Sequence, residues 1–472
     1  MFASPVGRSP VFCLAFAILM LGLIAQPVRA EIGSFILVDA KNGAVIDQKN
    51  ATRKWYPASL TKMMTAYVTF KAIKEGRIAL DSAVVQSKNS ISEPPSKMGF
   101  KVGTRFTVDT ALKIIIIKSA NDVAVALGET VAGSESAFIA RMNAEAKRLG
   151  MTNTHFTNPH GLPDNRQVTT ARDMAILAMA LRRDYSEARE FYKHPAIRFG
   201  KKTLRSANRE FLLRVPGANG MKTGYICNSG YNVAASVTRG RRTLIAIILG
   251  AGSGLERTAF ARQKFDQGFK KRSKGQNVSS LNGSSGNPPA DGYCRRNKSP
   301  GARGYIAQFD IKNEPSGGLL SFGKSKKNKP KKASLSGFKL ANGKTDWAKI
   351  LDRTIGPRKI AYRPLKVGLG KPKSTPSVSA SIPAEDIPLP TANPVRRAQN
   401  EIRNKLQKTA TVEAVGAAEP ADPAAEPAAA GAMKPTTVRP GSAADTSNAS
   451  HGSIFRKGLD FTVPVPSPSP KK

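Results

Sequence analysis

Sulfur, histidine and acid are scarce in this 472-residue chain, which holds three cysteines, four histidines and 33 acidic residues against 74 basic ones. No Cys-x-x-Cys pair or histidine cluster is present, so nothing in the pattern asks for a metal, and no cofactor is expected. His155 and His160 fall in a loop without ligand spacing, and His160 reads as structural. A membrane-length apolar run is missing from the N-terminus as well. Val11 to Ile24 falls short of the about 20 residues that cross a bilayer, and Gln26 and Pro27 break it. With Arg8 ahead and Val28-Arg29-Ala30 behind, residues 1–30 read instead as a cleaved secretory signal. The mature chain is then expected to start at Glu31 in the periplasm or cell envelope. Cys13 leaves with the signal, and an oxidising compartment permits a disulfide between the remaining Cys227 and Cys294.

What the chain has in excess is positive charge, a formal net +41. Strong basicity often means nucleic acid, but an exported protein rarely meets it, so no nucleic-acid partner is expected. An anionic membrane surface or acidic wall polymer fits better, and the charge would equally serve to keep a tail solvated. Much of the excess lies after Lys271, where the texture changes to stretches such as "GKSKKNKPKKASLSG" and "AAEPADPAAEPAAAGAMKP". Such segments bury too little apolar surface to offset chain entropy, so residues 272–472 are expected to be a mostly disordered basic tail. "YIAQFDI" and "WAKILDRTIG" stand out within it as pieces able to form small local structure. The final "FTVPVPSPSPKK" is too interrupted by proline for a membrane-resting helix.

Residues 31–271 read as one globular domain. "GSFILVDAKNGAVIDQKN" predicts a hairpin turning at Asn42-Gly43, and "SLTKMMTAYVTFKAIKEG" a helix between Pro57 and Gly76. "TVDTALKIIIIKSANDVAVALGETVAG" predicts two helices meeting near Lys118, and two amphipathic helices follow. Strands return in "GMKTGYICNSGYNVAASVTRGRRTLIAIILGA", before a last helix over "RTAFARQKFDQGFKK". Strands at both ends with helices between predict an α+β fold: one antiparallel sheet closed by both ends of the domain, flanked by helices, with an all-helical subdomain at its side.

Three short motifs carry chemistry. Ser59-Leu60-Thr61-Lys62 sets a hydroxyl and an amine on one helical face, and a lysine of lowered pKa can activate a serine. Alone the spacing is weak, since Ser59 could cap the helix and Lys62 face solvent. Ser119-Ala120-Asn121 falls at the helix junction, where a capping role would explain it equally well. Lys222-Thr223-Gly224 lies in a strand, where a cation, a hydroxyl and a bare backbone suit an extended substrate ending in a carboxylate. In this order and these settings the three form one signature set.

With them, the stretches "YPASLTKMMTAYV", "SANDVAVALGE", "THFTNPHGL", "TTARDMAILAMAL" and "GMKTGYICNSGYNVAASV" make residues 31–271 resemble the low-molecular-mass penicillin-binding proteins, serine D-alanyl-D-alanine carboxypeptidases of β-lactamase/transpeptidase-like fold. The resemblance implies removal of the terminal D-alanine from peptidoglycan stem peptides through an acyl-enzyme, with β-lactams as inhibitors. It implies Ser59 as nucleophile, Lys62 as general base kept partly neutral by burial and Lys222, and Ser119 and Asn121 as proton relay and hydrogen-bonding partner. Lys222, Thr223 and Arg257 would hold the substrate's anionic end, with Gly224 a further substrate-binding position on the strand. The N–H groups of Ser59 and Tyr225 would form an oxyanion hole, on the order of 3 kcal/mol per donor. Pro163 interrupts the family's usual His-Gly-Leu-Asp, and Tyr225 after Lys-Thr-Gly puts specificity in doubt. "THFTNPHGLPDNRQVTT" has no glutamate to activate water, which counts against a class A β-lactamase. A D,D-endopeptidase on the same fold, or a non-catalytic wall-binding protein, are the other readings.

Overall fold

The computed structural model describes residues 32–299, 301–311, 336–358 and 361–373. The expected signal segment and most of the expected tail lie outside these residues.

Strands β1 (Ser34–Asp39) and β2 (Val45–Lys49) are the expected hairpin, but their connection is five residues long. Asp39 N–H donates to Ala44 O at 2.9 Å, and Gly43 takes the left-handed conformation at φ 72°. The Asn42-Gly43 pair closes the turn without being the whole of it. Two short pairs follow along the chain: β3 (Ala83–Val85) with β4 (Arg105–Thr107), and β5 (Ala196–Phe199) with β6 (Lys202–Arg205). Strands β7 (Ala218–Ile226), β8 (Gly230–Arg239) and β9 (Arg242–Ala251) complete a five-stranded antiparallel sheet with β1 and β2, in the order β2-β1-β9-β8-β7. The two ends of the domain therefore meet in the middle, through β1 against β9. This places β7, with the Lys-Thr-Gly motif, on an open edge.

Alternation along the strands sends side chains to two cores. Ile36, Val38, Ile245, Ile247 and Leu249 face one, while Phe35, Leu37, Leu244, Ala246 and Ile248 face the other. Both faces are covered, which is why these strands read as continuous apolar runs. The first core packs against helix α1 (Lys62–Lys74), whose residues from Lys62 to Phe70 are all buried. A helix uncharged nearly all round belongs inside. Around it stand α2 (Lys88–Ile91), α3 (Val108–Lys113), α4 (Asn121–Ala132), α5 (Glu135–Arg148) and α6 (Ala171–Asp184). Ser134 and Thr170 cap the last two, each accepting from a backbone N–H of the first turn. After the short α7 (Arg189–Tyr192) and α8 (Arg209–Arg214) comes α9 (Gly254–Phe269), capped by Ser253, which covers the second core with Phe265, Ala259 and Ala261.

Packing does not stop at Lys271, where the sequence placed the end of the folded domain. Val278 and Leu281 enter the first core. Helix α10 (Tyr293–Arg296) sets Tyr293 edge-on to Trp55 at 5.4 Å and carries Cys294, which is joined to Cys227. Helices α11 (Ala302–Phe309) and α12 (Trp347–Thr354) bury Tyr305, Ile306, Phe309, Ile350 and Leu351 in the second core, and β10 (Leu365–Val367) pairs in parallel with β5. Truncation after Lys271 uncovers that core. Losing one buried aromatic costs about 3–5 kcal/mol, and each kcal/mol moves the melting midpoint of a domain this size by about 2–4 °C. A chain ending at Lys271 is therefore expected to melt at least about 10 °C below one ending at Lys373 in a thermal scan. Equal midpoints would show that these segments add nothing.

Candidate active site

Ser59 sits in a single 3₁₀ turn, Ala58–Thr61, that leads into α1. Thr61 Oγ1 donates to Ala58 O at 2.8 Å, and Asn232 Nδ2 donates to Tyr56 O at 3.0 Å, so the turn is held from both ends. Ala58 has φ 49°, a left-handed conformation that costs a non-glycine residue on the order of 1 kcal/mol and is typical of functional turns. Two glycines let other segments close on it. A Cβ at Gly224 would lie 3.0 Å from Ser59 N, and one at Gly161 would lie 1.9 Å from Ala58 O. Both positions need a residue without a side chain, and β7 thereby runs directly beside the backbone N–H of Ser59.

Lys62 is fully buried one turn further on. Its Nζ lies 2.7 Å from Asn121 Oδ1, 2.7 Å from His160 O and 3.2 Å from Ser59 Oγ. The first two partners only accept; the third is a hydroxyl. A neutral amine has two N–H groups and one lone pair, so two protons go to the carbonyl oxygens and the lone pair faces the serine. Burial pushes the Lys62 ammonium well below the ordinary lysine range, and Lys222 adds to the shift, while Glu93 and Asp122 oppose it. Asn121 is oriented by donating from Nδ2 to Pro94 O at 2.9 Å, which turns its Oδ1 toward the lysine.

The chain reaches Asn121 through a π-turn, Ile114–Lys118, which ends at Ser119 in the left-handed conformation with φ 68°. A π-turn and a left-handed serine in succession re-aim the side chain out of the helix path. Ser119 Oγ accepts from Lys222 Nζ at 2.8 Å, and the same Nζ donates to Thr223 O. Burial lowers Lys222 to about 7, helped by the charge of Arg257. Arg257, in the first turn of α9, donates to Asn232 O at 3.1 Å and Ala207 O at 3.0 Å, and burial brings it to about 10. Tyr225 packs its ring on Tyr231, with centroids 4.3 Å apart. Ser59, Lys62 and Asn121 are thus joined by hydrogen bonds, Ser119 is tied to Lys222 on the edge strand β7, and Gly224 of the same strand lies against Ser59 N.

Two participants carried no signal in the sequence, and a third was read only as structural. His160 contributes its backbone oxygen to Lys62, a role independent of side-chain type. Glu93 accepts from His160 Nε2 at 3.1 Å, from a loop remote in sequence. Asp122 is buried and accepts from the backbone N–H groups of Met98 and Gly99, which fixes the loop carrying Pro94. Glu93, Glu135 and His160 place their potential ligand atoms within 4.8 Å of one another, a cluster the spacing did not reveal. However, Leu162 N–H donates to His160 Nδ1 at 3.1 Å, so the other ring nitrogen carries the proton and offers no lone pair to a cation.

The model of the D-alanyl-D-alanine carboxypeptidase family matches residues 23–253. The chain is 42% identical over 226 residues to D-alanyl-D-alanine carboxypeptidase DacC of Escherichia coli, a match covering 46% of this chain and 56% of that protein. It is 33% identical over 274 residues to DacA of Haemophilus influenzae, covering 57% of this chain and 69% of that one. Among solved structures, penicillin binding protein 5 from Haemophilus influenzae aligns at 32% identity with a TM-score of 0.49, over 52% of this chain and 73% of that one.

Proposed function

The chain belongs to the D-alanyl-D-alanine carboxypeptidase family, and from that premise we propose that it removes the terminal D-alanine from peptidoglycan stem peptides by way of an acyl-enzyme on Ser59. The observation that carries the reading is the environment of Lys62: a buried amine that meets two carbonyl oxygens and the Ser59 hydroxyl, so that once neutral it turns its lone pair to the serine.

In this reading the peptide lies along the open edge of β7 and pairs with its backbone. Its terminal carboxylate is held by Lys222 and Thr223, with Arg257 behind them. Lys62 takes the Ser59 proton as the hydroxyl oxygen attacks the penultimate carbonyl carbon. The developing oxyanion sits between the N–H groups of Ser59 and Tyr225, which the close approach at Gly224 brings together. Collapse of the tetrahedral intermediate expels the D-alanine amine, which receives a proton through Ser119, bridged to the site by Lys222. Water then attacks the ester, with Lys62 again accepting the proton. A β-lactam presents the same carbonyl and carboxylate and acylates Ser59, but its leaving group stays tethered, so hydrolysis is slow.

The Cys227–Cys294 disulfide supports an exported location, because such bonds persist in oxidising compartments. In the same proposal residues 1–30 are a cleaved signal and the basic residues beyond 373 contact anionic wall polymer or membrane surface.

Mass spectrometry tests the core of the reading. Incubation with penicillin is expected to add one drug mass at Ser59, and a peptide ending in two D-alanines is expected to lose a single D-alanine. Rapid penicillin turnover without D-alanine release would sink the carboxypeptidase reading.

A further inference from the structure

The loop between α2 and β4 carries a buried acid, Glu93, that the mechanism above does not use. Its carboxylate receives the Nε2 proton of His160 at 3.1 Å, and both side chains are buried. Because His160 Nδ1 accepts from Leu162 N–H, the imidazole is clamped between its own loop and Glu93. That clamp fixes the peptide whose oxygen receives Lys62 Nζ. The residue following Glu93 holds the other acceptor of the same amine, since Pro94 O takes the proton of Asn121 Nδ2. Asn121 N–H in turn donates to Ser96 O at 2.7 Å. One short segment, Glu93–Ser96, therefore sets both carbonyl oxygens that orient the lysine.

We propose that Glu93 is a positioning residue for Lys62: through His160 and the adjoining Pro94 it aims the lysine's lone pair at Ser59, and it sets a negative charge against that of Lys222. The proposal rests on the reading of Lys62 as general base. The charged groups around the lysine come from every element packed there: Lys222 on β7, Asp122 on α4, Lys118 at the end of the π-turn, and Glu93 with its neighbour His160. Glu135, at the start of α5, lies in the same cluster as Glu93. Lys222 and Lys118 drive the proton off Lys62, whereas Glu93 and Asp122 retain it. Asp122 is committed to backbone N–H groups, which leaves Glu93 as the acid coupled to the lysine's own acceptor.

The sign follows directly. Glu93 raises the folded-state pKa of Lys62, so removing its charge lowers that pKa and frees the base at lower pH. Acylation by a fluorescent penicillin, measured across pH, is expected to give an acid limb about one unit lower in Glu93→Gln than in the parent. Its plateau is expected to fall about tenfold as the His160 carbonyl loses its anchor. Glu93→Asp keeps the charge but draws it back from His160, so its plateau falls while its limb stays near the parental position. A limb unmoved in Glu93→Gln, or a plateau unchanged in Glu93→Asp, overturns the proposal. The second result does so even where the first variant fails to fold. The parent protein separates the two levels of inference: no adduct on its Ser59 removes the base and this proposal together, whereas normal parental acylation with unaltered variants removes this proposal alone.

Discussion

Ser59→Ala is expected to abolish the penicillin adduct and to lower D-alanine release by about 10⁴-fold or more, because loss of a nucleophile removes the covalent route while leaving binding intact. Intact-protein mass spectrometry reads the first effect and an assay of free D-alanine reads the second. The fold is expected to survive. Ser59 is half-buried, and its turn is held by Thr61, Asn232 and the contacts of Gly161 and Gly224 rather than by its own hydroxyl. The variant also loses one partner of Lys62 but neither of the two carbonyl acceptors, so no buried acceptor is orphaned. A melting midpoint within a few degrees of the parent is therefore expected, since substitutions that touch no packed core or buried acceptor usually change stability by about 0.5 kcal/mol or less. Persistence of an adduct in this variant would move the nucleophile elsewhere, and persistence of release without an adduct would replace the acyl-enzyme by direct attack of water.

Ser59 and Lys62 were legible because their spacing is local: three residues apart on a helical turn fixes their meeting whatever the remainder of the chain does. Asn121 and Lys222 were legible only as members of a set, since what brings them to Lys62 is the pairing of β7 with β8 and the π-turn before Ser119. Glu93 was not legible, and His160 was legible only as a structural residue. One acts through a loop 67 positions away from its partner in the chain, the other through a backbone oxygen that every residue possesses. The closure of the sheet by both ends of the domain followed from where the strands lie in the chain, but the burial of both faces hid the polar-apolar alternation that usually marks a strand. The boundary at Lys271 was misplaced for a related reason. Tyr305, Ile306 and Phe309 sit on a helix of eight residues among glycine and lysine, so composition averaged over a window reports the surroundings, whereas packing responds to the one apolar face. The cysteine pairing stayed open in the sequence because it depends on bringing two Cα atoms to 4.9 Å, which the docking of α10 against the end of β7 achieves.

Lys62→Ala carries the second large effect, an expected loss of about 10³-fold or more in penicillin acylation, the scale of a positioned general base whose removal also disorganises its partners. The variant leaves Asn121 Oδ1 and His160 O without their buried donor, at a cost of about 1–3 kcal/mol for each unsatisfied group. Activity must therefore be normalised to the folded fraction, measured by circular dichroism at the assay temperature. In the proposed mechanism Lys62 works as base only when neutral, so the rate of the parent is expected to fall as pH drops through its lowered pKa, an acid limb set first by burial and then by the Lys222 charge. Lys222 has the opposite requirement. It holds a carboxylate only as a cation, and with burial and Arg257 bringing it to about 7 in the unliganded site, the rate falls as pH rises through that value. The form with Lys62 neutral and Lys222 charged consequently dominates a pH window only where Lys62 loses its proton first, and the profile of kcat/KM is expected to be a bell. Lys62→Ala removes the acid limb along with most of the rate, because no titrating base remains. Retention of activity within tenfold of the parent, or an acid limb unchanged in the residual activity, would assign the base to another group.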